Sequence, residues 1–447
     1  MQNPAEKKEF KQKAEHTAFF DMFLFGCICK CSEQAQYFQW FIIEMKGKGI
    51  IVTEALDLNS FEKGKNMKKA NVVLVVCKNY DEEKVYESLR DAVAALGGIG
   101  NFVSPEENIL VKPNLLYPSK KEKCITTNPV VIKAVLRLLS EAGCTRVKVG
   151  DSPATGSCRQ AMNQLGLTED QLYGAQIADM SREVFVKYPE GKAAKDFWLC
   201  EEVVQADAII GVCKMKTHAF LKITGAVKNM YGLVCGTRKA QGHVKYPSAL
   251  KFSEMLVDIH NLVKPRLHVM DAIIAMEGNG PGSGTPTEMG LIIVSADPVA
   301  IDTVFARLVD LDPVLVPTNT LGMVAGIGTC KESEIALKLV DNGVLRDISF
   351  DEMFACFGKK DFDVSREKDR FNVLSLLSRF TGRFTRRPYI DAEKCVKCGL
   401  CVNHCPVKGR AVTFKKGKDN IPVYDYKKCI RCFCCQEICP QHAIKVK

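Results

Sequence analysis

The stretch Ala208-Ile209-Ile210-Gly211-Val212-Cys213, followed directly by Lys214-Met215-Lys216-Thr217-His218, carries the reading of the fold. Six apolar or small residues in a row fit a strand buried on both faces, the pattern of a parallel sheet covered by helices on each side. Three side chains able to carry positive charge then follow at alternate positions, so they point the same way if the extended backbone continues. In open parallel sheets, ligands bind beyond the carboxyl ends of the strands. An apolar strand that runs into Lys214, Lys216 and His218 therefore marks both a sheet and the rim where a ligand would sit.

Working outward, the same alternation of short β-branched runs and longer periodic ones extends from about residue 70 to 340. Strands are expected at 71–77, 108–112, 146–150, 208–213, 266–271 and 290–294, and amphipathic helices at 82–96, 128–142, 155–165, 249–263 and 297–309. In the second helix Val131, Ile132, Val135, Leu138 and Leu139 share one face, and Asp297-Pro298 gives the last an N-cap acceptor followed by a ring already at helical φ. The expected class is α/β: a mostly parallel open sheet with flanking helices.

The residues that directly follow these strands are polar. Lys112-Pro113-Asn114 follows the second, Asp151-Ser152-Pro153 the third, and Asp271 the fifth, with Glu277-Gly278-Asn279-Gly280-Pro281-Gly282-Ser283-Gly284 a little farther on. Lys228-Asn229 lies beyond the Lys214 to His218 group. Converging at one rim, they make a cationic pocket with three acids and one imidazole, suited to an anionic or carbonyl-bearing ligand. In this reading Lys214 and Lys216 hold and polarise an anionic group while His218 delivers a proton. Lys112, Asn114, Asp151, Lys228, Asn229, Asp271, Glu277, Asn279 and Gly280 are the binding candidates. Plainer roles compete: Lys112 as a solvated strand end, and Asp151 as the cap of the helix at 155–165. The Gly-rich stretch matches neither nucleotide-binding fingerprint.

Of the chain's 21 cysteines, nine crowd into residues 395–439. Cys395-x2-Cys398-x2-Cys401-x3-Cys405-Pro406 is followed by Cys429-x2-Cys432-x2-Cys435-x3-Cys439-Pro440, and both copies match the bacterial iron–sulfur run. Two-residue separations aim three successive thiolates at three corners of one cubane. Paired zinc knuckles have no use for a Cys-Pro after a three-residue gap. The two runs repeat at a 34-residue offset, Asp391-x2-Lys394-Cys395 aligning with Asp425-x2-Lys428-Cys429. Residues 388–447 resemble a two-[4Fe-4S] bacterial-type ferredoxin domain, a small α+β unit with pseudo-twofold symmetry. In such domains the last Cys of each run serves the other cluster, so the resemblance implies Cys395, Cys398, Cys401 and Cys439 for one cluster and Cys429, Cys432, Cys435 and Cys405 for the other. Cys434 reads as a bystander, and Cys77, Cys144, Cys200, Cys213, Cys235 and Cys330 as small core hydrophobes.

Scattered thiols with one dense cluster fit a reducing compartment, and the reading is cytoplasmic. No run reaches the ~18 uninterrupted apolar residues of a membrane span. Of the net charge of +10, residues 388–447 carry 12 Lys+Arg against 5 Asp+Glu and residues 358–387 carry 9 against 4, so the basicity belongs to the C-terminal quarter. A basic surface beside a cluster suits an acidic electron carrier such as a ferredoxin or flavodoxin, and no nucleic-acid or membrane signature accompanies it. The organisation expected is an N-terminal extension at 1–66, poorly ordered; the α/β domain at 67–357; a basic linker at 358–387; and the cluster domain at 388–447. Met67-Lys68-Lys69 directly precedes the first strand, which places the natural start at Met67.

Val111-Lys112-Pro113-Asn114, Gly150-Asp151-Ser152-Pro153, Lys214-Met215-Lys216-Thr217-His218, Gly225-Ala226-Val227-Lys228-Asn229 and Glu277-Gly278-Asn279-Gly280-Pro281 occur in this order. On these motifs, residues 70–340 resemble the family catalogued as domain of unknown function 362, whose members commonly carry a C-terminal ferredoxin appendage. The resemblance implies binding roles for the motif residues and supplies no substrate. The expected function is electron transfer through two [4Fe-4S] clusters to or from an anionic ligand on the α/β domain, as an oxidoreductase. The alternative is a non-catalytic electron-transfer or redox-sensing module whose α/β domain binds a partner or metabolite.

Overall fold

Alternate residues along the central strands are divided between two apolar cores, which is how a period of two buries both faces of a sheet. Val73 and Val75 join one core while Val72 and Leu74 join the other; Ile292 and Val294 face the first, Leu291 and Ile293 the second. Helices Glu82–Ala95, Pro129–Glu141, Cys158–Gln164 and Ala249–Val263 cover the first face, and Pro298–Leu308 and Phe350–Phe357 the second. The computed structural model describes residues 69–236, 238–367, 386–415 and 417–446, with the backbone of three strands at 23–25, 40–46 and 49–56. Those three strands form their own antiparallel sheet. The expectations of a poorly ordered extension, of a start at Met67 and of the basic linker's residues 368–385 otherwise lie outside the described residues.

The main sheet has ten strands. In chain order they are β1 (Ala70–Val76), β2 (Ile109–Pro113), β3 (Val147–Val149), β4 (Gln176–Ile177), β5 (Ala208–His218), β6 (Lys222–Thr224), β7 (Leu267–Glu277), β8 (Thr285–Ser295), β9 (Ile335–Asp341) and β10 (Val344–Asp347). The spatial order is β10-β9-β1-β8-β7-β5-β2-β3-β4, with β6 paired to β5. Pairing is parallel along β7-β5-β2-β3-β4 and between β1 and β9, and antiparallel around β8, β10 and β6. The fold is α/β with a mostly parallel, mixed sheet flanked by helices.

Two expected strand ends are corrected. β5 does not stop at Cys213 but runs through His218, every residue of it buried. β7 does not stop at Asp271 but continues to Glu277, where the Gly-rich stretch turns the chain back into β8. That connection is too short for a helical crossover, so the next strand must be antiparallel. The stretch is therefore a hairpin turn. The cap assigned to Asp151 also moves: Ser157 caps the helix Cys158–Gln164 in a capping box with Gln160.

The Gly225 to Asn229 motif is held from below by Asp302 on the helix Pro298–Leu308. Its carboxyl oxygens accept from Ala226 N at 2.6 Å and Val227 N at 3.2 Å, and a Cβ on Gly225 would lie 1.9 Å from Asp302 Oδ1. Burial pushes the Asp302 carboxyl up to about 7 against these two bonds. The folded state then keeps a proton that the unfolded chain loses above its ordinary value near 3.8, so this residue's contribution to stability falls as pH rises from about 4 to about 7, by up to about 1.4 kcal/mol per pH unit. Urea midpoints of the parent chain should fall between pH 5 and pH 7, and Asp302→Asn, which keeps an acceptor, should flatten that slope; an unchanged slope would reject the assignment.

The cluster segment contributes two small antiparallel pairs, Pro388–Ile390 with Ile444–Val446 and Val412–Thr413 with Val423–Tyr424, and two four-residue helices, Leu400–Asn403 and Cys434–Glu437. Among the described residues no helix is long and apolar enough to cross a membrane.

Candidate functional site

At the carboxyl ends of β2, β5 and β7 the polar side chains read from the sequence meet in a buried network. Lys214 on β5 lies in register with Asp271 on the parallel neighbour β7, and their side chains join at 2.8 Å with both residues buried. Asp271 also accepts from Tyr80 OH at 2.8 Å and from Asn128 N at 2.9 Å, and Tyr80 OH takes a bond from Lys214 Nζ at 3.0 Å. The β5–β7 ladder shifts register just beyond this point, and Ile274 N donates to Tyr80 OH at 3.3 Å, so the phenol fills a gap in the ladder. Burial and the adjacent Asp271 keep Tyr80 protonated, its pKa raised far above the ordinary tyrosine value.

Lys112 forms the second pair. Its Nζ lies 3.0 Å from Asp151 Oδ1 and donates to Asn229 Oδ1 at 2.9 Å and Pro113 O at 2.8 Å. Asp151 Oδ2 accepts from Leu115 N at 2.8 Å. Gly232 closes over this pair, and a Cβ there would fall 1.8 Å from Asp151 Oδ1. Burial lowers the Lys112 pKa, with Asp151 opposing.

Lys216 differs. It is fully buried, and its Nζ donates only to neutral oxygens, Asn114 Oδ1 at 3.0 Å and Ile125 O at 2.7 Å. Burial, reinforced by Lys228, holds it well below the ordinary lysine value, which favours the amine over the ammonium. Lys228 itself is 9% exposed and makes no hydrogen bond or ion pair among the described residues, although its charge acts on Lys112, Lys216, His218 and Glu437.

His218 ends the row on β5. Its Nδ1 accepts from Phe220 N at 3.1 Å and Leu221 N at 3.2 Å, which assigns the ring proton to Nε2. That atom faces Glu437 Oε1 at 3.1 Å. Burial pushes His218 down to about 4, with Lys228 adding to it, so the ring is neutral. Burial acts the other way on Glu437, and His218, Lys228 and His243 outweigh it and keep the carboxylate ionised.

Glu437 belongs to the cluster segment, which connects the rim to the cysteines. Its neighbour Gln436 is fully buried and donates through Nε2 to Asn279 O at 2.8 Å and Gly280 O at 3.1 Å, while Asn279 Nδ2 donates to Ile444 O at 3.0 Å. Tyr117 OH donates to Gly282 O at 3.0 Å. The structure thus places Asn279 and Gly280 against the helix Cys434–Glu437, with Gly280 packed on Thr217 of β5. Glu277 stands apart from the rim, accepting from Asp363 N at 3.0 Å. Lys112, Asn114, Asp151, Lys214, Lys216, Lys228, Asn229, Asp271 and His218 are brought together. Sequence reasoning missed Tyr80, Gln436 and Glu437. Tyr80 was findable, since Lys78-Asn79-Tyr80 follows β1 just as the other motifs follow their strands.

The cysteines surround two voids. One is lined by Cys395, Cys398, Cys401 and Cys439 with Val396, Leu400 and Ile444. The other is lined by Cys405, Cys429, Cys432 and Cys435 with Phe433 and Tyr424. Ala443 N donates to Cys439 Sγ and Ala411 N to Cys405 Sγ, each at 3.3 Å, and Tyr424 OH donates to Cys435 Sγ at 3.1 Å. Four soft sulfur donors around an apolar void, with N–H and O–H groups aimed at the sulfurs, fit a cubane cluster held by thiolates.

Residues 109–307 match the model of the family described as Domain of unknown function (DUF362), and residues 387–440 match that of a 4Fe-4S dicluster domain. The chain is 37% identical over 255 residues to a thylakoid-associated protein of Synechocystis sp., a match covering 56% of this chain and 77% of that protein. Similar solved structures include a protein from Thermotoga maritima, with 11% identity, a TM-score of 0.33 and 55% of this chain covered. Another is the lactate racemase apoprotein from Thermoanaerobacterium thermosaccharolyticum, with 10% identity, a TM-score of 0.32 and 58% covered. The matches span 59% and 60% of those two chains. On the strength of the family model and the Synechocystis relative, the chain belongs to the DUF362 family and carries a 4Fe-4S dicluster domain at its C-terminal end.

Proposed function

We propose that the chain transfers electrons through two [4Fe-4S] clusters to or from a small anionic ligand or substrate held at the rim of the sheet, as an oxidoreductase. The observation that carries this reading is Lys228, a nine-tenths buried lysine with no bonded partner among the described residues, beside the helix that bears Cys435. The side chain is largely buried while its ammonium reaches solvent at the rim with no bonded partner, so an arriving anion can pair with it. Lys112 and Lys214 already have Asp151 and Asp271, so they fix the walls, while Lys228 and the neutral-biased Lys216 meet the ligand. His218 holds a proton at Nε2 on the side facing Glu437. The cysteine sets Cys395, Cys398, Cys401, Cys439 and Cys405, Cys429, Cys432, Cys435 would hold the clusters, which supply one-electron transfer when bound.

Cys398 is exposed, and so are Lys394, Lys397, Lys408, Arg410, Lys427 and Lys428 of the same segment. This basic surface suits an acidic electron carrier of the ferredoxin or flavodoxin kind. A reducing, cytoplasmic setting agrees with the buried, unpaired Cys77, Cys144, Cys158, Cys200, Cys213, Cys235 and Cys330. Thylakoid association is said of the Synechocystis relative alone.

A second reading, a redox-sensing module that binds without converting, is favoured by one observation: Lys112, Lys214 and His218 each already have an internal partner. One experiment separates the two. The full chain, reconstituted without oxygen and reduced, is titrated with a panel of small carboxylates and phosphate esters while the cluster absorbance is followed. Ligand-dependent reoxidation in the parent, lost at least tenfold in Lys228→Ala, supports the enzyme; a shifted potential without turnover supports the sensor; no response to any anion removes the rim ligand from the proposal.

A further inference from the structure

The two halves of the cluster segment repeat their cysteines at a 34-residue offset, but among the positions between and beside them that differ, two matter here. Ile390 corresponds to Tyr424, and Leu400 to Cys434. In the second half both carry a hydrogen that a cluster-ligand sulfur can accept. Tyr424 OH donates to Cys435 Sγ at 3.1 Å, and the buried Cys434 thiol lies beside Cys432, close enough to act on it. Cys432, Cys434 and Cys435 are all buried. Some influences repeat. Each void has a backbone donor to the last Cys of a run, from Ala443 to Cys439 and from Ala411 to Cys405, both at 3.3 Å, and further backbone groups act on Cys401, Cys429 and Cys432 and stay in place when a side chain is changed. Lys394 and Lys397 in the first half match Lys428 and Arg431 in the second. The side-chain donors, by contrast, serve only the set Cys405, Cys429, Cys432 and Cys435.

We propose that Cys434 and Tyr424 set the reduction potential of the cluster held by that second set, making it easier to reduce than it would be with the aliphatic residues of the first half. One added electron places one more negative charge on the cluster and its sulfurs. A donor aimed at a ligand sulfur stabilises the more negative state more strongly, and does so most in a buried, low-dielectric place. Cys434 is then neither a bystander nor a ligand. Glu437 acts in the opposite direction from near Cys432, and it is the same in every variant below, so their differences isolate the two donors. The inference rests on the crossed cysteine sets and not on any ligand at the rim.

The test is a redox titration of the full-length chain, reconstituted without oxygen, with electron paramagnetic resonance resolving the two midpoints and iron counted in each sample. Cys434→Ala and Tyr424→Phe should each lower the same one midpoint, by up to about tenfold in the reduction equilibrium, which is about 59 mV for one electron, and leave the other in place. Cys434→Ser keeps a donor and should stay close to the parent. Two unmoved midpoints, or both moving together, overturn the proposal. So does a Cys434→Ala protein that loses iron while Cys432→Ala keeps it, since Cys434 would then be the ligand. A parent chain lacking iron defeats the cluster reading itself, and a full iron complement with unmoved midpoints defeats only this inference.

Discussion

Lys214→Ala is expected to destabilise the fold by about 3–5 kcal/mol, the cost of breaking a buried ion pair by removing one partner. Lys214 and Asp271 are 1% and 0% exposed, and their atoms meet at 2.8 Å. Truncating the lysine leaves the Asp271 carboxylate with only Tyr80 OH and Asn128 N to face it. Replacing both charged groups at once, as Lys214→Met with Asp271→Asn, should recover a large part of the loss: the amide oxygen still accepts from Asn128 N, its Nδ2 can donate to the Tyr80 hydroxyl that Lys214 no longer occupies, and no charge remains buried. Denaturant midpoints followed by far-ultraviolet circular dichroism measure both effects. A single variant within about 1 kcal/mol of the parent would mean that water reaches this pair. Because Lys214 was expected to polarise a ligand, the same variant is informative about function. Activity lost in proportion to folded protein assigns it to the wall of the site.

What could be read from the sequence follows the range of the physics involved. The cluster cysteines were legible because their geometry is local: spacings of two and three residues fix which sulfurs can face one void. The sheet was legible because buried strands are written as apolar runs, and the rim because the apolar runs of β2, β3 and β5 change abruptly at Lys112, Asp151 and Lys214. The pairing inside the rim was not legible. That Lys214 meets Asp271 depends on the register of two parallel strands, and that Asp151 meets Lys112 instead of capping a helix depends on where β3 hands over to Ser157. Lys228 and Lys216 look like their neighbours in sequence and differ in making no ion pair among the described residues, although Glu437 acts on both from farther off. Glu437 and Gln436 were hidden by their surroundings, since a residue between cluster cysteines reads as part of the cluster loop. Their contacts with His218, Asn279 and Gly280 span more than 150 residues of chain. The antiparallel β8 needed the length of the Gly-rich turn to be weighed against what a crossover requires.

Cys439→Ala is expected to damage the cluster of the first run although Cys439 lies in the second. Cys439 lines the void with Cys395, Cys398 and Cys401, while Cys405 lines the one with Cys429, Cys432 and Cys435. A cubane that loses one of its thiolates sheds an iron or fails to assemble, so iron should fall from about eight per chain toward about four to seven. The identity of the damaged cluster is read from pairs of variants. If Cys439 and Cys398 serve one cluster, their double variant loses no more iron than the worse of the two single variants, because that cluster is lost only once. Cys439→Ala combined with Cys432→Ala should empty both. An uncrossed arrangement reverses these results, with Cys439 non-additive with Cys432 and additive with Cys398. The crossing has a mechanical consequence too. In the crossed arrangement each half would supply a sulfur to the other's cluster, so neither half could hold its cubane with the other displaced. The helix Cys434–Glu437, fixed between Cys435 and Cys439, then carries Gln436 and Glu437 to the rim at a position set by both clusters together. Loss of either cluster should therefore loosen the contact between Glu437 and His218, whereas the Lys214–Asp271 and Lys112–Asp151 pairs, built on the sheet alone, should persist.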